Sequence, residues 1–115
     1  MKQFLAIFIS FLTLASCSTL NSMTVIKPLD SFILGNNKHG SFKVQLKNTS
    51  KNDIDVYQVP IDGGQHSFQV IKPNDKVNLQ VGSNTALFIQ NKSNDTASVI
   101  LKVTGDTGLS MGYKN

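Results

Sequence analysis

The sequence predicts an all-β fold: a small antiparallel β-sandwich of seven or eight strands, immunoglobulin-like in outline, following a cleaved signal peptide. Three observations carry this. Apolar and polar residues alternate with period two, turn-forming clusters recur about every 8 to 14 residues, and no 3.6-residue apolar face of useful length occurs beyond residue 16. The Cys…Trp…Cys pattern of true immunoglobulin domains is missing, so the likeness is architectural.

The elements follow in order. Thr24 to Lys27 and Ser31 to Leu34 read as the first strands, and Gly35 to Gly40 as a loop. Phe42, Val44 and Leu46 alternate with Lys43, Gln45 and Lys47, which sends one set inward and the other to water. Ile54 to Val59 leads into Asp62-Gly63-Gly64, residues that tolerate the positive φ of a tight hairpin. Ser67 to Ile71 is closed by Lys72-Pro73-Asn74-Asp75, with Pro presetting a turn. Val77, Leu79 and Val81, then Thr85 to Gln90, then Val99, Leu101 and Val103 supply the remaining strands. Gly82-Ser83-Asn84, Ser93-Asn94-Asp95 and Gly105-Asp106-Thr107-Gly108 punctuate them. No internal repeat stands out, and the four phenylalanines after residue 16 read as alternating inward.

Composition narrows the function classes. The 115 residues suit one domain, with eleven lysines, seven aspartates, no arginine, no glutamate, one cysteine and no tryptophan. That balance excludes a disulfide scaffold, a cysteine zinc site and a multi-span membrane protein. Without arginine there is no bidentate contact to bases or phosphates, so nucleic acid is not an expected partner.

The N-terminus differs in kind from the rest. Lys2 precedes the apolar run Phe4 to Leu14, too short for the roughly 20 residues of a membrane span and suited to the core of a secretory signal. The run ends in Leu14-Ala15-Ser16-Cys17, which resembles a bacterial lipobox. The resemblance implies that residues 1–16 are removed, that Cys17 carries a diacylglycerol, and that its new amino group is acylated. Residues 17–23 then form a lipidated tether and residues 24–115 the sandwich. Ser18 is not the aspartate of the enterobacterial inner-membrane retention pattern, and no acidic cluster of the Bacteroidetes surface-export pattern follows. The implied location is the cell envelope, at the periplasmic face of the outer membrane.

Chemistry-bearing residues are sparse. Asp106-Thr107-Gly108 resembles the triplet of retroviral-type aspartic proteases, but it lies eight residues from the C-terminus with no room for a flap, and a Gly-bracketed turn explains it. His39 and His66 show no metal-ligand spacing, and no Gly-x-Ser-x-Gly elbow is present. Asn52-Asp53-Ile54-Asp55 offers three oxygens near one turn, too few for calcium without a bidentate glutamate. The chain is therefore expected to be non-catalytic, without metal or cofactor.

Contact candidates are His39 and His66 in the loops Gly35–Gly40 and Asp62–His66, Tyr57, out of phase with Ile54 and Val56, and Tyr113 in the tail. Lys43, Lys47 and Lys102 read as an outward, solvated face. Asp95-Thr96-Ala97 resembles the O-glycosylation acceptor of Bacteroidetes, which makes Thr96 a modification candidate. The triplets starting at Asn48, Asn91 and Asn94 match the N-glycosylation pattern without meaning for a lipobox protein. The expected function is a lipid-anchored structural or docking module that meets another envelope protein through a sheet edge or end loops. A glycan-, peptidoglycan- or lipid-binding module is the alternative.

Overall fold

The computed structural model describes residues 19–64 and 66–115; the lipobox with Cys17 lies outside the described residues. Nine strands follow one another: β1 (Thr19–Ile26), β2 (Ser31–Leu34), β3 (Phe42–Asn48), β4 (Ile54–Pro60), β5 (His66–Ile71), β6 (Lys76–Val81), β7 (Thr85–Gln90), β8 (Ala97–Gly105) and β9 (Met111–Tyr113). They form two antiparallel sheets, one in the order β1-β8-β3-β6 and the other β5-β4-β7-β2-β9. The all-β sandwich is thus present, and its strand order is that of a jelly roll. β1 pairs with β8, β2 with β7, β3 with β6 and β4 with β5, as if one long hairpin had been rolled up. Its resemblance to an immunoglobulin domain is one of outline, two packed antiparallel sheets.

Alternation builds the core. In β8, Ala97, Val99, Leu101 and Val103 are buried while Ile100 and Lys102 are exposed. Phe42, Val44 and Leu46 of β3 meet them from the same sheet, and Phe32, Leu34, Ile54, Val56, Leu87 and Ile89 from the facing one. The ninth strand was not expected, because three residues with Gly112 in the middle show no alternation. β9 is instead templated by the free edge of β2, through Phe32 opposite Tyr113 and Leu34 opposite Met111.

The N-terminal boundary also moves. Residues 19–23, assigned above to the tether, belong to β1, which follows β8 from Thr19 opposite Thr104 to Ile26 opposite Ala97. The polar Asn21-Ser22 pair hid an alternation in which Ser22, Thr24 and Ile26 take the inward phase.

An internal repeat is the larger correction. Val25-Ile26-Lys27-Pro28-Leu29-Asp30 and Val70-Ile71-Lys72-Pro73-Asn74-Asp75 differ at one position and make the same corner, β1 to β2 and β5 to β6. Each closes a turn, the Asp30 N–H donating to the Lys27 carbonyl at 3.2 Å and the Asp75 N–H to the Lys72 carbonyl at 3.1 Å. The third residue of each is left-handed, Leu29 at φ 62° and Asn74 at φ 68°.

Two Asn-x-Ser corners complete the symmetry. Fully buried Asn48 is the last residue of β3, and fully buried Asn91 follows β7. The Asn48 amide donates to the carbonyls of Asn52 and Ile71 at 2.8 and 2.9 Å. The Asn91 amide donates to those of Asp95 and Ile26 at 2.7 and 3.1 Å. Each side-chain oxygen accepts the backbone N–H two residues on, from Ser50 and Ser93. One end of the sandwich is therefore capped by two buried asparagines, each gripping a Lys-Pro-x-Asp turn about 20 to 65 residues away in the chain.

Candidate functional site

The outer face of the five-stranded sheet is where sequence and structure differ most. Tyr57 stands opposite Phe88, Phe88 opposite Ile33, and Ile33 opposite Gly112. Buried Val56, Ile89 and Phe32 beside them point into the core, so this row points out. On the far side of Tyr57 the β4–β5 register shifts, and the bulged strand carries Ser67 with φ 59°. Phe68 and Val70 emerge there, 57% and 43% exposed. Phe88 and Phe68 were expected inward; Leu87 and Ile89 take the core positions of β7, and Ile71 that of β5.

The strands of this face contribute one charged side chain among those described. Asp55 lies outward in β4 yet is buried, because the Lys92 ammonium reaches over it, 3.0 Å from Oδ2. Its other oxygen has no hydrogen-bond partner. A polar rim thus covers the carboxylate and leaves aromatic and aliphatic surface from Ile33 to Phe68. Among the described residues no strand pairs beyond β5, so the row ends on a sheet edge with free backbone groups.

Tyr57 is half-buried, and its ring stacks on Phe88 at a centroid distance of 5.0 Å and 15° between planes. One ring face of Tyr57 is therefore taken by packing. Tyr113 is not in a free tail: its hydroxyl donates to the Val25 carbonyl at 2.7 Å and its ring meets Phe32 edge-on. It ties the open edge of one sheet to the other.

His39 is a correction. The sequence places it in a loop as a contact candidate, but it is 8% exposed. Its Nδ1 lies 2.6 Å from the Gly40 carbonyl oxygen, and its Nε2 lies 2.8 Å from the carbonyl oxygen and 3.2 Å from the nitrogen of Thr85. The backbone N–H of His39 donates to Asn84 Oδ1, and the Asn84 N–H returns to the His39 carbonyl. The imidazole is a clamp between the β2–β3 and β6–β7 loops. His66 opens β5 opposite Gln58; its side chain and residue 65 lie outside what is described.

Asp106 is a turn residue, as its glycine neighbours imply. Oδ2 accepts the Gly40 N–H at 2.6 Å and Oδ1 the Gly108 N–H at 2.9 Å. These two donors hold its carboxyl below the ordinary aspartate value, with a smaller contribution from nearby His39. The carboxylate is spent on bracing loops. Thr96 is exposed between β7 and β8, next to Asp95, which accepts the Asn52 amide at 3.2 Å. Among the described residues no group of three or more His, Cys, Asp or Glu is placed to hold a metal ion.

Two features escaped the sequence reading: the aromatic row and the asparagine corners. The first had a trace in the apolar residues filling both phases of Ala86-Leu87-Phe88-Ile89; the second in the paired Asn-x-Ser triplets.

No family model matches the chain, and no curated protein matches it. Among solved structures it is similar to two structures of the Drosophila melanogaster CENP-C cupin domain. One gives a TM-score of 0.51 at 14% identity, covering 75% of this chain and 58% of that one. The other gives 0.50 at 13%, covering 74% and 59%. The likeness is one of fold, and the chain spans less than two thirds of the length of these neighbours.

Proposed function

We propose that this chain is a non-catalytic, lipid-anchored protein of the bacterial cell envelope, a docking module held at the outer membrane through Cys17. The jelly roll presents the outer face of its five-stranded sheet, with the free edge of β5, to another envelope protein. One observation carries the docking reading: an outward row from Ile33 through Phe88 and Tyr57 to Phe68, without an exposed charge among the described side chains, ending on an unpaired strand. Charge depletion with aromatic enrichment is the composition of interface centres, and a free edge adds backbone hydrogen bonds. The loops around His39 are the weaker contact candidates, because its ring is consumed in holding them together.

A glycan-binding module would use Tyr57 as a platform. The stacking of Tyr57 on Phe88 leaves only one of its ring faces for a sugar. The experiment is affinity capture of the tagged protein from its own host. Phe68→Lys, at an exposed position, is expected to leave folding intact and remove a stoichiometric envelope protein from the eluate. Recovery of cell-wall fragments alone, lost in Tyr57→Ala, would replace docking by glycan binding. For the anchor, Cys17→Ala is expected to abolish palmitate labelling; a variant that still labels would end the lipoprotein reading.

A further inference from the structure

The opposite face of the molecule has a different chemistry. The four-stranded sheet turns Lys43 and Lys47 of β3, Lys76 of β6 and Lys102 of β8 outward. None of its four strands contains an acidic residue. Among the described residues these four ammonium groups have no ion-pair partner; the one salt bridge joins Lys92 to Asp55 of the other sheet. Lys47 and Lys76 are direct cross-strand partners, an arrangement that like charges disfavour in an isolated sheet. Between β8, β3 and β6 the face is hollowed, about 470 Å³, and lined by Lys43, Gln45, Asn78, Gln80, Lys102 and Thr104.

Apolar side chains flank the lysines on the same face. Met23 of β1 is 71% exposed, directly opposite Ile100 of β8 at 41%, and Val25 beside them is 50% exposed. Ile100 is in turn opposite Lys47. An exposed aliphatic corner next to unneutralised lysines is complementary to one kind of surface, a bilayer with anionic headgroups. Phosphates take the ammonium groups, and the aliphatic corner sits at the headgroup–acyl boundary.

We infer that the outer face of the four-stranded sheet lies on an anionic membrane. The inference deepens the proposed anchor and takes its proximity argument from it. β1 begins at Thr19, two residues after Cys17, and two residues span at most about 7 Å. A lipid on Cys17 therefore holds an edge of this very sheet at the bilayer, and the lysine face needs only to lie down. The partner-binding sheet then faces away from the membrane.

The test is amine footprinting of the full processed protein, reconstituted in vesicles of phosphatidylcholine alone or mixed with phosphatidylglycerol. A lysine near an anionic surface contributes about fivefold in binding. Labelling of Lys43, Lys47, Lys76 and Lys102 is expected to fall several-fold on the anionic vesicles only. Lys27, Lys51 and Lys72, in loops at the capped end, act as internal controls. Salt at about 0.5 M should restore labelling, since screening shortens the reach of the surface potential. Equal labelling of all lysines in protein whose intact mass shows a lipid on Cys17 overturns the inference and leaves the anchor standing. If the mass shows no lipid, the anchor reading fails, and the same four-lysine pattern with added vesicles still decides the face.

Discussion

Asn48 shows how one side chain holds a corner. It is fully buried, donates two hydrogen bonds and accepts from Ser50, so truncation leaves several backbone groups without partners. Asn48→Ala is expected to lower stability by about 2–4 kcal/mol in urea unfolding, and Asn94→Ala, on an exposed loop, by less than about 0.5. Asn48→Asp keeps the acceptors, loses both donors, and should cost as much as the alanine variant. Equal stability of all three would refute the clamp. Asp106 belongs to the same scale. Two backbone donors depress its pKa, so its contribution is present above the ordinary aspartate value and is lost as pH falls through the folded value, from about pH 4 downward. Protection factors of the Gly40 and Gly108 amides, corrected for the intrinsic exchange rate, should fall in that window, and Asp106→Asn should flatten the pH profile. The Asn-x-Ser triplets and Asp-Thr-Gly were visible as turn chemistry, but their bonding partners, such as Ile71 for Asn48, lie far away in sequence and depend on the roll.

At the scale of elements, the repeat makes a prediction about its own mismatch. Leu29 and Asn74 occupy equivalent left-handed positions, where asparagine is comfortable and leucine is not. Leu29→Asn is expected to stabilise by about 0.5–1 kcal/mol, measured by thermal or urea unfolding, and Leu29→Val to destabilise. A stabilising effect of valine would show that the turn relaxes. Strand positions were legible wherever one phase was apolar, as in β3 and β8. They were less so where both phases were apolar. In β7, Leu87, Phe88 and Ile89 are all candidates for the core, and only the neighbouring strands decide that Phe88 is left outside. β9 has no pattern of its own, and the repeat was obscured by its short length and by unlike strands on either side of each turn.

The whole molecule is a jelly roll with two unlike faces. One sheet is outwardly basic without acidic residues in its strands; the other is outwardly aromatic with its single aspartate buried under Lys92. Both faces are single-sheet properties that emerge when distant strands are placed side by side: Lys43 and Lys102 come from β3 and β8, Tyr57 and Phe88 from β4 and β7. Local alternation already sends Lys43, Lys47 and Lys102 outward, but their meeting with Lys76 on one face, and the stacking of Tyr57 on Phe88, depend on the sheet order. The proposed division of labour puts the membrane on one side and a partner protein on the other. Placing a photo-crosslinking residue at Phe68 and, separately, at Gln45 in the lipidated protein of living host cells tests it in one measurement. Position 68 is expected to give a discrete envelope-protein adduct, and position 45 lipid adducts. Protein adducts from 45 with lipid or nothing from 68 would contradict it.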